Sequence, residues 1–114
     1  MDESKVLAQK IAETLSAKKG DEVVMIDIAE KSSFADYFVM ASAGSERQLE
    51  ALKDAVEDEL EPSDIFPKRV EGQKQSGWIL MDYGDVVVNI LTVEMRTKYN
   101  IERIWADCEF IEVK

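Results

Sequence analysis

The turn Gly44-Ser45 is the first place in the chain where residue types and spacing are suited to chemistry. It follows an apolar segment and begins a helical pattern, and such a turn cradles a triphosphate in nucleotidyltransferases, because N–H groups at a helix start attract anions. Those enzymes also need paired carboxylates at i and i+2 of a neighbouring strand to hold a divalent metal. Glu71 stands alone, and Asp82 and Asp85 flank a turn. Helix capping is therefore the favoured interpretation, and no catalytic residue is assigned.

Other catalytic and metal-binding patterns are missing from the sequence. The chain has no histidine and one cysteine, Cys108, which excludes a Ser-His-Asp triad, a His-ligated metal and a Cys-His pair. The segment Asp82-Tyr83-Gly84-Asp85 could be a metal loop, but Asp and Gly are also favoured in turns. The sequence predicts no enzyme, no metal site and no cofactor.

The charge of the chain is strongly acidic. Its 114 residues include 24 Asp and Glu against 14 Lys and Arg, giving a net charge of −10. This balance argues against direct nucleic-acid binding and against anionic membranes. It would attract a basic partner, although acidic surfaces also serve solubility. No apolar run reaches the length of a membrane span, and the acidic N-terminal residues do not resemble a signal peptide, so a cytoplasmic protein is expected.

Hydrophobic periodicity predicts one domain over residues 1–114 with the element order α-β-β-α-β-β-β-α. Helices are expected at about 3–18, 46–60 and 92–99, strands at about 22–28, 35–41, 68–71, 77–82 and 85–91, and a turn at 101–105. Ser45 and Gln48 have the spacing of a capping box, in which the Ser45 hydroxyl accepts the Gln48 N–H and the Gln48 amide reaches back, and Thr92 can cap the last helix. The crossover helix implies parallel pairing and Tyr83-Gly84 predicts an antiparallel hairpin. The predicted fold class is α/β, more closely an α+β mixed sheet with helices packed on it.

Aromatic side chains are concentrated in the C-terminal half, at Trp78, Tyr83, Tyr99 and Trp105. Such residues usually fill a core. Trp and Tyr also anchor protein interfaces, because they combine a large contact area with a polar group. The residues by themselves leave both interpretations open for each ring.

A family resemblance is carried by three segments. The strand-turn-strand at 77–88, GWILMDYGDVVV, closely resembles the hallmark of the ribosomal silencing factor (Iojap) family. Glu94, Arg96 and the run YNIERIW at 99–105 resemble its closing motif, while ADYFVMAS at 35–42 and SERQ at 45–48 resemble its second strand and following helix start. The resemblance covers residues 21–106, nearly the whole predicted domain.

The resemblance implies a nucleotidyltransferase-like fold without that enzyme's active site. It further implies docking on the large ribosomal subunit through the universal large-subunit ribosomal protein fourteen, which would block joining of the small subunit and repress translation during starvation. A homodimer that uses the same surface stays open, as do a nucleotidyltransferase-like enzyme and an acidic adaptor for another basic protein. The implied partner-binding residues are Trp78, Leu80, Asp82, Tyr83, Arg96, Tyr99, Asn100, Glu102 and Trp105.

Several positions depart from the family pattern. Family members often carry histidine where Asn89 and Thr92 stand, proline at Val93 and an aromatic residue at Lys98. These changes bear on the contact surface more than on the fold. Reversing the charge of Glu102 tests the implied docking surface. If Glu102 is exposed, Glu102→Lys is expected to weaken docking on a basic partner at little cost in stability.

The missing carboxylate pair makes a direct prediction. Calorimetry with ATP and magnesium should detect no saturable binding, because a metal–triphosphate complex has no anchor in this sequence. Micromolar binding that disappears when Asp82 or Asp85 is replaced by asparagine would contradict this and would favour the enzyme.

Overall fold

A computed structural model describes residues 3–113 as a mixed sheet with three α-helices. The helices are α1 (Glu3–Ala17), α2 (Glu46–Leu60) and α3 (Val93–Tyr99), and short 3-10 helices span Glu61–Ser63, Lys74–Ser76 and Ile101–Trp105. The strands are β1 (Asp21–Asp27), β2 (Tyr37–Ala43), β3 (Arg69–Gln73), β4 (Trp78–Asp82), β5 (Val86–Thr92) and β6 (Glu109–Glu112). Within residues 3–113, no helix has the length and apolar composition needed to cross a membrane.

The six strands form one sheet in the order β3-β4-β5-β2-β1-β6. Strands β2 and β5 pair in parallel, with Ala43 opposite Thr92, and the other neighbouring strands pair antiparallel. The chain leaves β2 through α2, adds β3 and β4 at the edge, and returns through the β4–β5 hairpin. The central pair β2–β5 is buried on both faces, which explains its continuous apolar sequence.

The first face of the sheet is covered by α1 and α2. Ile11 and Leu15 of α1 and Leu49, Leu52 and Val56 of α2 are at most 1% exposed. They pack against strand residues that point to the same side, among them Val39, Ile79, Met81 and Val88. This core contains most of the large buried side chains, so it supplies most of the hydrophobic stabilisation of the fold.

The second face is covered by α3, by the 3-10 helix Ile101–Trp105 and by residues of the loop between β1 and β2, among them Ile28 and Ala35. Beneath them lie Ile26, Phe38, Met40, Val87 and Leu91. Because α3 has seven residues and the 3-10 helix has five, they are too short to cover six strands. The β3–β4 end of this face is therefore left open, with Leu80 only half-buried.

The predicted order of the first eight elements and the mixed α+β sheet are confirmed, but the sixth strand was missed. Strand β6 pairs antiparallel with β1, with Phe110 opposite Ile26. Its sequence, Glu-Phe-Ile-Glu, does not alternate strictly between polar and apolar residues and so gives no clear strand pattern. Strand β6 has only four residues and lies near the C-terminus, so a local pattern is too short to identify it. The parallel pairing that the crossover implied joins β2 to β5.

The predicted N-caps are confirmed, with one difference. The Ser45 hydroxyl accepts the backbone N–H of Gln48 at 3.1 Å, and the Thr92 hydroxyl accepts that of Met95 at 3.3 Å. The Gln48 side chain does not return to the Ser45 N–H as a capping box would. Its Oε1 accepts the N–H of Gly44 at 2.6 Å and its Nε2 donates to the Lys19 carbonyl at 2.9 Å. Gln48 therefore also connects the start of α2 to the loop after α1.

A substitution at Gly72 tests the pairing of β3 with β4. Its φ is +84°, and a Cβ added there would lie 2.1 Å from the carbonyl oxygen of Trp78. Gly72→Ala should lower the free energy of unfolding by about 2 kcal/mol or more, because a left-handed backbone and a backbone clash must both be relieved. Urea denaturation measures this.

Gly44→Ala is the matched control. A Cβ there meets only the side-chain oxygen of Gln48, at 3.3 Å, and no backbone atom. Gly44→Ala should lower the free energy of unfolding by less than about 1 kcal/mol. Equal destabilisation by the two substitutions would contradict this account of Gly72.

Candidate docking surface

Strand β4 presents three half-buried side chains to the thinly covered face of the sheet. Trp78, Leu80 and Asp82 alternate with the buried Ile79 and Met81, as the period of two requires. The alternation follows from the two sides of the sheet, since Ile79 and Met81 pack under α1 and α2. The sequence prediction that residues 78, 80 and 82 share one face is confirmed.

Helix α3 forms the opposite wall of an apolar groove along these residues. The Trp78 and Tyr99 rings pack with centroids 5.3 Å apart at an interplanar angle of 44°. Tyr99 is nonetheless 48% exposed, and the Lys98 ammonium lies 5.6 Å from the centre of its ring. We call this feature the β4–α3 groove, and its lining residues are Glu71, Gly72, Ser76, Trp78, Leu80, Met95 and Tyr99.

The indole of Trp78 is held from below by Asn89. Its Nε1–H donates to the Asn89 Oδ1 at 2.8 Å. Asn89 lies on β5, between Leu80 on β4 and Met40 on β2, and is 0% exposed. Among the described residues, its Nδ2 has no hydrogen-bond partner.

Arg96 and Glu102 form an ion pair that faces β1 and β2 and is not part of the groove lining. The Arg96 Nε and Nη2 donate to the Glu102 Oε2 at 3.1 and 2.8 Å, and Nη1 donates to the Glu22 carbonyl and the Ser42 hydroxyl at 2.9 and 3.0 Å. The side chains of Arg96 and Glu102 are only 11% and 25% exposed. The guanidinium thus ties α3 and the 3-10 helix to β1 and β2. Glu102 is not the exposed residue that the sequence interpretation assumed.

Asp82 is at the end of the groove strand and has a structural contact of its own. Its Oδ1 accepts the N–H of Gly84 at 2.8 Å within the hairpin turn, and its Oδ2 lies 3.8 Å from Arg69. Turn chemistry is therefore the observed role of the Asp82-Tyr83-Gly84-Asp85 segment. The carboxylate remains 26% exposed, so it stays available at the edge of the surface.

Two of the predicted aromatic residues lie in cores. Tyr83 is buried against α2 on the opposite face of the sheet, where burial, together with Glu57 and Glu61, raises the pKa of its hydroxyl. Trp105 is 8% exposed and packs on Phe38 and Phe34, with ring centroids 5.7 and 6.3 Å away. The structure therefore does not bring Tyr83 or the Trp105 ring to the groove.

Asn100 has a backbone role at the turn after α3. Its φ of 45° and ψ of 50° end α3 in the left-handed conformation, and its N–H donates to the Arg96 carbonyl at 2.9 Å. Asn tolerates this conformation better than most residues. Asn100 thereby directs the chain into the 3-10 helix that supplies Glu102.

The Gly44-Ser45 turn lies at the ends of the parallel strands, where α/β sheets often bind ligands. Here the Ser45 hydroxyl caps α2, and Glu46 occupies the first helical turn. Within residues 3–113, no group of three or more His, Cys, Asp or Glu is arranged to hold a metal ion. The geometry gives this turn a capping role.

Sequence reasoning missed the residues that hold the groove from beneath. Asn89 was noted only as a departure from the family pattern, and Met95, which lines the groove from α3, was not singled out. A polar Asn inside the run VVVNIL was a usable signal, because a polar residue buried among apolar ones normally has a specific hydrogen-bond partner.

Comparison with known proteins agrees with the sequence resemblance. The family described as "Ribosomal silencing factor during starvation" matches residues 1–114. The "Ribosomal silencing factor RsfS" of Halalkalibacterium halodurans is 32% identical over 108 residues, which cover 95% of this chain and 92% of that protein. "Protein Iojap, chloroplastic" of Arabidopsis thaliana is 28% identical, with 97% of this chain matching 46% of it. A crystal structure of a protein from Chromobacterium violaceum superposes with a TM-score of 0.87 at 28% identity, covering 92% of this chain and 88% of that one.

The fold and the groove define a small α+β protein whose mixed sheet has one well-covered face and one thinly covered face. The chain belongs to the ribosomal silencing factor family, whose description indicates regulation of translation at the ribosome. The family assignment predicted from the strand-turn-strand and the closing motif is thus confirmed.

The Arg96–Glu102 ion pair generates a stability prediction that corrects the sequence expectation. Glu102→Lys should lower the free energy of unfolding by roughly 2–3 kcal/mol, because it leaves a largely buried guanidinium without its partner and adds a like charge. Chemical denaturation measures the change. Loss of docking in this variant would therefore not locate the docking surface by itself.

Glu30→Lys is the matched charge reversal, at an exposed turn residue. It should change stability by no more than about 0.5 kcal/mol. If both variants unfold at the same denaturant concentration, the ion pair does not contribute as described.

Proposed function

We propose that this protein docks on the large ribosomal subunit through the universal large-subunit ribosomal protein fourteen, and sterically prevents joining of the small subunit. The proposal rests on family membership together with one observation, the pair of half-buried Trp78 and half-exposed Tyr99 at the β4–α3 groove. Translation would then be repressed under nutrient limitation. The proposed place of action is the cytoplasm, together with the ribosomes.

The groove has the chemistry of an energetic centre for protein binding. Trp and Tyr are enriched among the residues whose truncation costs most at interfaces, because they bury a large area and lose little side-chain entropy. Tyr99 is half exposed, and Trp78 and Leu80 are half-buried. A partner that covers these side chains would gain apolar burial without unfolding any part of this chain.

The net negative charge of the chain supports the proposal of a basic partner. The net charge of −10 gives long-range attraction to basic proteins and speeds their encounter. Glu71, in the groove lining, is 55% exposed, and Asp82, at the end of β4, is 26% exposed. Both lie close to Arg69. Partner cations that approach this rim would compete with Arg69 for the two carboxylates.

Steric block is the simplest mechanism for a protein of this kind, and we propose it in preference to catalysis. The capping role of Gly44-Ser45 supports a non-enzymatic function, since a triphosphate there would have to displace the contacts of Ser45. An acidic adaptor for a different basic protein is the remaining alternative. Self-association through the same groove would compete with docking in either case.

Sedimentation tests the proposal directly. The wild-type protein should co-migrate with isolated large subunits in sucrose gradients and not with joined ribosomes, and it should lower the yield of joined ribosomes from purified subunits. Trp78→Ala should weaken docking by about 2 kcal/mol or more if the ring is an interface anchor. Its stability should be measured on the same preparation.

Val6→Ala is a matched control, because Val6 is 57% exposed on α1, the helix on the opposite face of the sheet. It should dock like the wild type. Co-migration of the wild type with joined ribosomes, or none with large subunits, would contradict the proposed function. Equal docking of Trp78→Ala and Val6→Ala would contradict only the placement of the surface.

A further inference from the structure

Asn89 lies in an apolar environment that is unfavourable for a side-chain amide. It is 0% exposed, on a central strand, with Leu80 and Met40 beside it on the neighbouring strands. Its Oδ1 accepts the Trp78 Nε1–H at 2.8 Å, while its Nδ2 has no partner among the described residues. A buried donor without a partner lowers stability, and an apolar side chain of similar size would avoid that cost. Asn89 is therefore poorly explained as a residue that stabilises the fold.

The orientation of the amide is fixed by its partner. Indole Nε1–H is only a donor, so it must meet the Oδ1 of Asn89, which turns Nδ2 into the apolar layer. The hydrogen bond therefore sets the position of one ring edge, and the Tyr99 ring, 5.3 Å away, contacts the indole from α3. Together these two contacts hold Trp78 across the floor of the β4–α3 groove.

We propose that Asn89 is a positioning residue for docking, which acts by holding the Trp78 indole in the orientation that the partner contacts. This inference rests on the proposed function for its biological meaning. Its physical content, the restraint on Trp78, is independent of the partner. The restraint matters because an aromatic anchor fixed before binding loses less conformational freedom when the partner arrives.

Two substitutions at Asn89 separate positioning from stability. Asn89→Leu removes the acceptor and the unpartnered donor together, and the freed N–H of the half-buried Trp78 can turn to water. Thermal stability should therefore be equal or raised, while docking on purified large subunits weakens about tenfold. Asn89→Asp keeps an acceptor at the Oδ1 position but buries a carboxyl group, so it should lower stability and still dock better than Asn89→Leu. A purely structural role predicts that docking follows stability, which is the opposite order.

Trp78→Phe tests whether Asn89 acts through the indole N–H, because this substitution keeps an aromatic ring but removes the N–H. If Asn89 acts through that N–H, then Asn89→Leu should weaken docking little further in the Trp78→Phe background. Full additivity of the two effects would overturn the proposal. So would wild-type docking by Asn89→Leu, or docking that follows the order of stability.

The fluorescence of Trp78 tests the restraint without the ribosome. The chain has two tryptophans, so the emission of Trp78 is obtained by subtracting the spectrum of the matching Trp78→Phe protein. In Asn89→Leu this emission should shift to longer wavelength and become more accessible to acrylamide, because the freed N–H turns toward water. Unchanged emission and quenching would overturn the proposal even if Asn89→Asp does not fold. If the wild type fails to bind large subunits, the proposed function fails, and the fluorescence result still decides the role of Asn89.

Discussion

The unequal covering of the two faces of the sheet is the constraint on which the other features depend. Two fifteen-residue helices bury one face, and this core is large enough to hold the strands in register. The other face has one seven-residue helix and a single 3-10 helix. Because such short elements cannot cover all six strands, the β4 side chains on this face, Trp78, Leu80 and Asp82, remain half-buried. A stable fold and an accessible apolar groove are thus provided by opposite sides of the same sheet.

The layer formed by α3 and the 3-10 helix Ile101–Trp105 must be held on the sheet by specific contacts, because short helices bury little apolar surface. Arg96 supplies some of these contacts through four hydrogen bonds, which reach the Glu102 carboxylate, the Glu22 carbonyl and the Ser42 hydroxyl. Glu22 has a φ of +47°, beside the irregularity in the pairing of β1 with β2. The guanidinium therefore joins three separate strand and helix ends. Trp105 adds apolar contact from the other end of the layer through Phe34 and Phe38.

Much of the architecture could be predicted because it follows from local patterns. The stripe of α2, its Ser45 cap, the two strong strands and their hairpin all match between sequence and structure. The alternation of β4 also identified which of its residues share the groove face. Strand β6 was missed because four residues carry too little periodicity, and its pairing with β1 is a long-range contact that no local pattern encodes.

The candidate site was less predictable, for a physical reason. Burial of a single aromatic side chain depends on which elements cover it, so Tyr83 and Trp105 could not be distinguished from Trp78 and Tyr99 by residue type. The ion pair of Arg96 with Glu102 and the hydrogen bond of Trp78 with Asn89 join residues on different elements. Their partners become apparent only when the strand order is known. The sequence identified the region of the groove, and the fold determines which of its residues are accessible.

The position of β3 at the end of the sheet has a consequence for behaviour in concentrated solution. An edge strand offers unpaired backbone groups to which a strand of another chain can add. In β3 the ion-paired Arg69 and Glu71 occupy this edge, and Gly72 interrupts the extended backbone with its positive φ. Charge and an irregular backbone both disfavour strand addition. The short strand that borders the apolar groove is thereby a poor template for pairing with a strand of another chain at this edge of the sheet.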